Sequence, residues 1–333
     1  MRFPYGIADF LKIREEGYFY VDRSDRIALL EEAGSQLLFL RPRRFGKSLW
    51  LSTLENYYDL ARADDFERLF GGLKIGRNPT PLRNRYFILK LNFSVVDPKG
   101  DHNAIHRALH QHINDEISAF DQRYRAHLPQ PVKLHEENAL SSLRKLLAIV
   151  SETPHRLYLL IDEYDNFANE VMISPLQGTN RYQELVESEG TIKTFFKAVK
   201  AGAEGRGIDR VFLAGVSPVV LSDITSGYNV AKDLTHLDEY HDLCGFTARE
   251  LADALSGVLA ERGLPAEQAP SILDLLQRFY NGYRFGEGDN PLLYNPTLAL
   301  YFLDYFGRYG RYPRQMLDDN LAMDRNRIQY VAR

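Results

Sequence analysis

The chain has a single cysteine, Cys244, among 333 residues, which excludes an internal disulfide framework and any Cys-rich zinc site and fits a reducing cytoplasm. It has no apolar stretch of the roughly 18 to 20 residues that a membrane span needs, and Met1-Arg2-Phe3-Pro4-Tyr5 opens no signal-peptide core. A soluble cytoplasmic protein without membrane contact is expected. Strong charge is also lacking. The formal net charge is -4, so the chain as a whole exerts no general attraction on nucleic acid, and any such contact must use local patches. No short-period repeat or low-complexity tract breaks the sequence. A hydrophobic content of 44% and a charged content of 26% are those of an ordinary globular protein, and the length suits a large core and two domains.

The most informative segment is Arg41-Pro-Arg-Arg-Phe-Gly-Lys-Ser48. An apolar run, Leu37 to Leu40, precedes it and a helix-like run from Leu49 follows, so a strand feeds a phosphate-binding turn. The backbone of Arg43, Arg44, Phe45, Gly46, Lys47, Ser48 and Leu49 is the candidate cradle for a triphosphate. Gly46 lets N–H groups approach phosphate oxygens, Lys47 can reach the β- and γ-phosphates, and Ser48 can hold Mg²⁺. The G-x-x-x-x-G-K-[ST] pattern has Arg41 where its first glycine belongs. Arg43 and Arg44 add positive charge, and two uses stay open for them: a direct phosphate contact, or pairing with Asp165 and solvent. A loop committed to a triphosphate is a poor surface for reading duplex DNA.

A second segment, Arg156-Leu-Tyr-Leu-Leu-Ile-Asp-Glu163, is an apolar strand ending in two acids, the form of a Walker B element. Strands of a parallel sheet open their C-terminal ends onto the ligand crevice. Asp162 is therefore expected at the metal bound by Ser48, with Glu163 polarising the attacking water. The strand Val211 to Val216 ends at Ser217-Pro218, which makes Ser217 a candidate γ-phosphate sensor; a Ser-Pro turn without a ligand role is the competing reading. Arg284 is a candidate arginine finger or sensor, or else a structural ion-pair partner after a glycine turn. His102, His106 and His110 recur at helical spacing, and a solvated polar stripe is favoured over a metal site. Aromatic residues Tyr5, Phe10, Phe19 and Tyr20 could stack on a base, though core packing of an N-terminal extension explains them as well.

The spacing predicts a short strand at Tyr18–Asp22, a helix to Ala33 capped by Asp22 or Ser24, and a strand at Phe87–Phe93 followed by a turn at Asp97–Gly100. It further predicts helices near Asn103–Tyr124 and Ala139–Ser151, and a fifth strand near Leu243–Phe246. Thr247-Ala-Arg-Glu250 has capping-box spacing and opens a helix to Arg262, ended by Gly263 and Pro265, with another helix over Ala269–Tyr280. Strands separated by helices give an α/β parallel sheet flanked by helices. The expected domains are an ATPase core with its N-terminal extension over residues 1–246 and a mainly helical lid over 247–333.

These stretches, together with Pro4–Phe10, Tyr20–Ser24, Leu160–Asp165, Gly215–Pro218, Gly245–Thr247, Tyr280–Phe285 and Tyr294–Pro296, resemble the AAA-ATPase-like family of bacterial proteins. Members usually carry a PD-(D/E)XK nuclease-like domain at the C-terminus, and the arginine-rich loop without its first glycine is their usual form. The resemblance implies an ASCE-type P-loop ATPase core with a helical lid, ATP and Mg²⁺ as ligands, and a conformational switch coupled to a nuclease-type effector. Homo-oligomers and nucleic acid reached through a nuclease-like domain are the implied partners. The chain stops at Arg333, about where that domain is expected to begin, and no Asp…(Asp/Glu)-x-Lys pattern assigns nuclease chemistry to these residues. Two readings compete with hydrolysis: a nucleotide-gated scaffold that binds ATP without turnover, and a DNA-binding module using residues 247–333.

Overall fold

The computed structural model describes residues 1–97, 99, 102–166, 191–218, 228 and 230–317. Two compact units interleave along the chain: one comprises 1–23, 42–52 and 235–333, the other 24–41 and 53–234. In chain order the elements begin with α1 (Phe10–Glu15), α2 (Arg26–Ala33), β1 (Gln36–Leu40), α3 (Lys47–Tyr58), α4 (Phe66–Phe70), α5 (Lys74–Arg77), β2 (Tyr86–Asn92), α6 (His102–Arg123) and α7 (Ala139–Ser151). They continue with β3 (Arg156–Asp162), α8 (Thr191–Ala203), β4 (Ile208–Gly215), β5 (Lys232–Asp233), α9 (Ala248–Arg262), α10 (Ala269–Tyr280), β6 (Asn281–Tyr283), β7 (Leu293–Tyr294) and α11 (Pro296–Tyr309).

The second unit is a five-stranded sheet in the order β2-β3-β4-β1-β5, with every pair parallel. Parallel sheets need cover on both faces, and this one has it. Phe87, Leu89, Leu91, Leu157, Leu159, Ile161, Val211 and Leu213 join one core with residues of α6, α7 and α8. The alternate residues of the same strands are buried too: Phe39 lies against Phe212, and Tyr58 of α3 packs on Tyr86 and Tyr158. Because all strands run the same way, Leu40, Asp162 and Gly215 end at one edge of the sheet. Leu40 is in register with Gly215, and Asp162 with Asn92.

The first unit has its own core, in which Phe3, Phe246, Leu255, Tyr280, Tyr294 and Phe302 bring the N-terminal segment together with α9, α10 and α11. The predicted capping box is present: Thr247 accepts the N–H of Glu250, and the Glu250 carboxylate accepts the N–H of Thr247 at 2.8 Å. Gly263 ends α9 in the left-handed conformation. Phe246 and Tyr294 exchange backbone hydrogen bonds of 3.1 and 2.8 Å, so the expected cut after residue 246 falls inside this unit.

The structure departs from the sequence reading at four places. The fifth strand is Lys232–Asp233, not Leu243–Phe246. Both of its residues are exposed, as befits a short charged edge strand, and an apolar-run search cannot see it. Tyr18–Asp22 forms no strand; Phe19 instead donates its N–H to Arg2 O at 2.8 Å and packs its ring on Phe3 and Phe246. Neither Asp22 nor Ser24 caps α2, whose N-cap is Asp25 without a side-chain bond, while Ser24 Oγ accepts the N–H of Ile75. The turn at 97–100 is described only at Asp97, which accepts the N–H of Lys99, and at Lys99 itself; residues 98 and 100 lie outside the described residues.

The fourth departure is in the histidine stripe, which was expected to be solvated and is not so at His110. His110 is buried, stacks on His106 with centroids 4.1 Å apart, and accepts the N–H of Ala139 at 2.8 Å through Nδ1. Among the described residues no cluster of His, Cys, Asp and Glu is arranged to hold a metal ion. Burial, helped by the neighbouring His106, pulls the pKa of His110 from 6.5 down to about 4. The folded protein therefore keeps His110 neutral where the unfolded chain would protonate it. Stability conferred by the neutral ring is complete above pH 6.5 and falls as the pH drops towards 4. Urea unfolding at pH 7 and pH 4.5 should show this loss, and His110→Gln should reduce it by about 2 kcal/mol.

Candidate functional site

Residues 42–46 link β1 to α3 as a tight loop. Arg44 and Gly46 have φ of 61° and 99°, whereas Arg43 and Phe45 lie on the negative side. A backbone whose φ alternates in sign turns successive N–H groups towards one side, forming a concave nest that binds anions. The left-handed value suits glycine at 46 and is uncommon for an arginine at 44. Immediately after the nest, the first rung of α3 is the Trp50 N–H to Gly46 O bond at 3.0 Å. The N–H groups of Lys47, Ser48 and Leu49 thus precede the helical ladder at the positive end of its dipole. This donor set fits a chain of phosphate oxygens.

The side chains of the loop divide into two groups. Lys47 is almost buried, and its ammonium donates to Pro42 O at 3.1 Å, which folds it back over the loop. Ser48 is half-buried, Arg43 likewise, and Arg44 is exposed. Phe45 points the other way. Its ring is 0% exposed and sits edge-on to Tyr283 at 4.9 Å and Phe285 at 5.2 Å. Of the predicted cradle residues, Phe45 can therefore offer a ligand its backbone only. Phe10 and Phe19 are packed against other aromatic rings, as the core-packing reading expected, and Tyr5 lies partly exposed against Tyr301.

In the second unit the acids sit where the sheet edge puts them. Asp162, the last residue of β3, is 2% exposed, and its Oδ1 accepts the N–H of Glu163 at 3.0 Å. Glu163 then turns at φ 49°, a left-handed conformation that costs a non-glycine residue on the order of 1–3 kcal/mol and is concentrated at functional sites. The neighbouring β4 ends at Gly215, and Ser217 follows two residues beyond. The carboxylate of Asp165 accepts the N–H groups of Val216 and Ser217, the latter at 2.7 Å, and Tyr164 donates its hydroxyl to Ser217 O at 2.5 Å. Tyr164 and Asp165 thus strap the tip of β4 to the turn after β3, which brings Glu163 and Ser217 to adjacent strand ends. Sequence reasoning offered Asp165 as a partner for the loop arginines and did not see this strap; Asp165 is 1% exposed, and burial of an acid directly after a strand was the available signal.

Arg284 is not gathered into either set. It pairs with Asp289 at 3.8 Å and is exposed. In an extended segment side chains alternate, so while Tyr283 and Phe285 turn to Phe45, Arg284 turns away from that ring. This is the geometry of the ion-pair alternative, and such an exposed pair contributes little stability.

A parallel sheet that delivers a Gly-Lys-Ser loop from β1 and two acids from β3, with β4 between them, has the fold of P-loop ATPases. The chain belongs to the predicted AAA-ATPase family, whose profile matches residues 4–225. It is 27% identical over 304 residues to an uncharacterized protein from the vnfD 5′ region of Azotobacter chroococcum mcd 1. That alignment covers 89% of this chain and 50% of the relative, so the chain spans half the length of this curated protein. Among solved structures, the Walker-type ATPase PABY2304 of Pyrococcus abyssi matches with a TM-score of 0.54 at 15% identity, over 94% of this chain and 76% of the other. The Aeropyrum pernix ORC1 protein, solved in complex with DNA, matches at a TM-score of 0.38 and 13% identity over 93% and 66% of the two chains, too loose a likeness to bear on function.

The strap gives a test of the acid side of the site. Asp165→Ala leaves the N–H groups of Val216 and Ser217 without their carboxylate acceptor and should destabilise the protein by about 1–3 kcal/mol in urea unfolding.

Proposed function

We propose that the protein binds ATP and hydrolyses it with Mg²⁺, using the turnover to reset a conformational switch. The observation that carries this reading is the donor set of the arginine-rich loop: an alternating backbone over 43–46 that runs directly into the start of α3 at Lys47 and Ser48. No feature of a merely structural turn requires a left-handed arginine there.

In this reading the backbone of residues 43–49 holds the phosphate oxygens, and Lys47 exchanges its bond to Pro42 O for the β- and γ-phosphates. Arg43 and Arg44 add positive potential around the phosphates. Ser48 and Asp162 are the oxygen ligands we assign to Mg²⁺, a hard cation that takes one or two protein oxygens beside phosphate. When bound, Mg²⁺ neutralises charge that develops on the phosphoryl oxygens. Glu163, held by its left-handed backbone one residue beyond Asp162, is assigned to orient the attacking water and accept its proton. Ser217 is assigned the contact to the γ-phosphate, supported by the strap that fixes it beside the Asp162–Glu163 turn. Arg284 would need to leave Asp289 to act as a finger. As a regulator, the protein would drive an effector of the kind the family carries beyond its ATPase core, a role consistent with the chain spanning half of its relative.

Three variants measured in parallel test the proposal. The wild type is expected to bind Mg·ATP saturably and to release phosphate at a steady rate. Lys47→Ala should weaken binding by more than tenfold. Glu163→Gln should retain ATP affinity and lose phosphate release by a factor of about 100 or more. Wild-type binding without any phosphate release would identify the protein as a nucleotide-gated scaffold instead. For Arg284→Ala, unchanged turnover would remove the finger assignment and leave the rest intact.

A further inference from the structure

Arg284 apart, four of the motifs picked out in the sequence are assigned no part in phosphate or metal binding: Tyr20–Ser24, Gly245–Thr247, Tyr280–Phe285 and Tyr294–Pro296. Within the first unit the last three, or the residue next to them, converge on two consecutive loop residues, Arg44 and Phe45, and Arg23 of the first joins them through Gly245. Thr297, the residue after Pro296 in the first turn of α11, donates its hydroxyl to Arg44 O at 2.8 Å. Asn295 caps that helix through the N–H of Leu298, which fixes where Thr297 stands. Tyr283 and Phe285 hold the ring of Phe45 from one segment. Gly245 closes on the same ring: a Cβ there would fall 2.7 Å from Phe45 Cε1.

Each clamp is itself anchored. Arg23 donates to Gly245 O at 2.6 Å and forks onto both oxygens of Glu250 at 2.9 Å. His241 accepts the N–H groups of Phe285 and Gly286 through Nδ1, and with that nitrogen occupied as an acceptor its Nε2 carries the proton donated to Pro291 O at 2.8 Å. The ring therefore works as a tie between the two sides of the 285–291 segment.

Resting on the nucleotide-binding reading above, we propose that Thr297, Tyr283, Phe285 and Arg23, the last acting through Gly245, are positioning residues that preset the phosphate loop from behind. They take over the role of the glycine that the loop lacks at position 41. A glycine-rich loop can adopt alternating φ without help; here a left-handed arginine is gripped at its own carbonyl, and the next residue is gripped by its ring. The loop then meets the triphosphate already shaped, so ordering is not charged against binding.

The test is Mg·ATP affinity of the full chain by calorimetry, set beside its melting temperature without nucleotide. Thr297→Val removes the donor with little change of shape. It should weaken ATP binding about three- to tenfold, the effect of one lost hydrogen bond, while melting within a few degrees of the wild type. Thr297→Ser restores the hydroxyl and should return affinity to within about twofold. Phe87→Ala, which loosens the sheet core of the second unit, should lower the melting temperature and leave the affinity of the folded protein unchanged. Should Thr297→Val not fold, Phe285→Leu takes its place with the same expectation. The proposal is overturned if Thr297→Val binds ATP as the wild type does, or if Thr297→Ser binds as weakly as Thr297→Val. Wild-type binding that Lys47→Ala abolishes and Thr297→Val leaves alone removes only the positioning role; absence of saturable wild-type binding removes the nucleotide reading and this proposal together.

Discussion

Four backbone torsions, alternating in sign from Arg43 to Gly46, are the constraint on which the candidate site depends. They turn peptide N–H groups inward just ahead of a helix whose own first N–H groups precede its hydrogen-bonded ladder. Polar backbone must be satisfied, and a curved row of donors is best satisfied by an anion with several oxygens. The lysine and serine that follow extend the same preference from peptide dipoles to a full charge and a hydroxyl.

The parallel sheet brings its two acids to one edge through geometry alone. With β4 between β1 and β3, and all three running one way, the residues that end them share an edge. Asp162 and Glu163 arrive there because an apolar strand can accept carboxylates only where it stops. The strap from Tyr164 and Asp165 to Val216 and Ser217 then converts two separate strand tips into a single fixed corner. Asp165 is a buried charge whose acceptor capacity is used on backbone N–H groups, the condition under which burial of a carboxylate is tolerable.

Much of this was legible in the amino-acid order. β2, β3 and β4 are continuous apolar runs and could be located to within about three residues; α7 and α10 were bounded as observed because Asn138 caps one and Pro270 opens the other. The capping box at Thr247 needed only its spacing. What escaped was long-range. β5 is two charged residues whose strand character comes entirely from pairing with Leu37 and Leu38. His110 reads as part of a polar stripe until α7 is seen to place Ala139 on its ring nitrogen. The cut expected at 246 ignored that Phe246 pairs with Tyr294 and that residues 42–52 group with the N- and C-terminal segments. Phe45 was placed in the candidate cradle by its backbone, and the order of residues says nothing of its ring; only the 281–285 segment, more than two hundred residues away, reveals that the ring packs on Tyr283 and Phe285.

That last point bears on why so degenerate a loop persists in a P-loop fold. A glycine at the first position frees the backbone locally, at an entropic cost that every folding event must offset. Arg41 instead is buried, with its guanidinium over the Phe39 ring at 4.2 Å and donating to Leu40 O, so it stiffens the exit of β1. In this loop the left-handed conformation falls on Arg44, and in the proposal above that residue is held from outside. Thr297 and the rings around Phe45 do so from segments beyond residue 225, where the family match ends. The arginine-rich loop and the C-terminal helical segment therefore meet at two consecutive residues: the second bonds the carbonyl of Arg44, and its aromatic clamp is filled by the ring of Phe45.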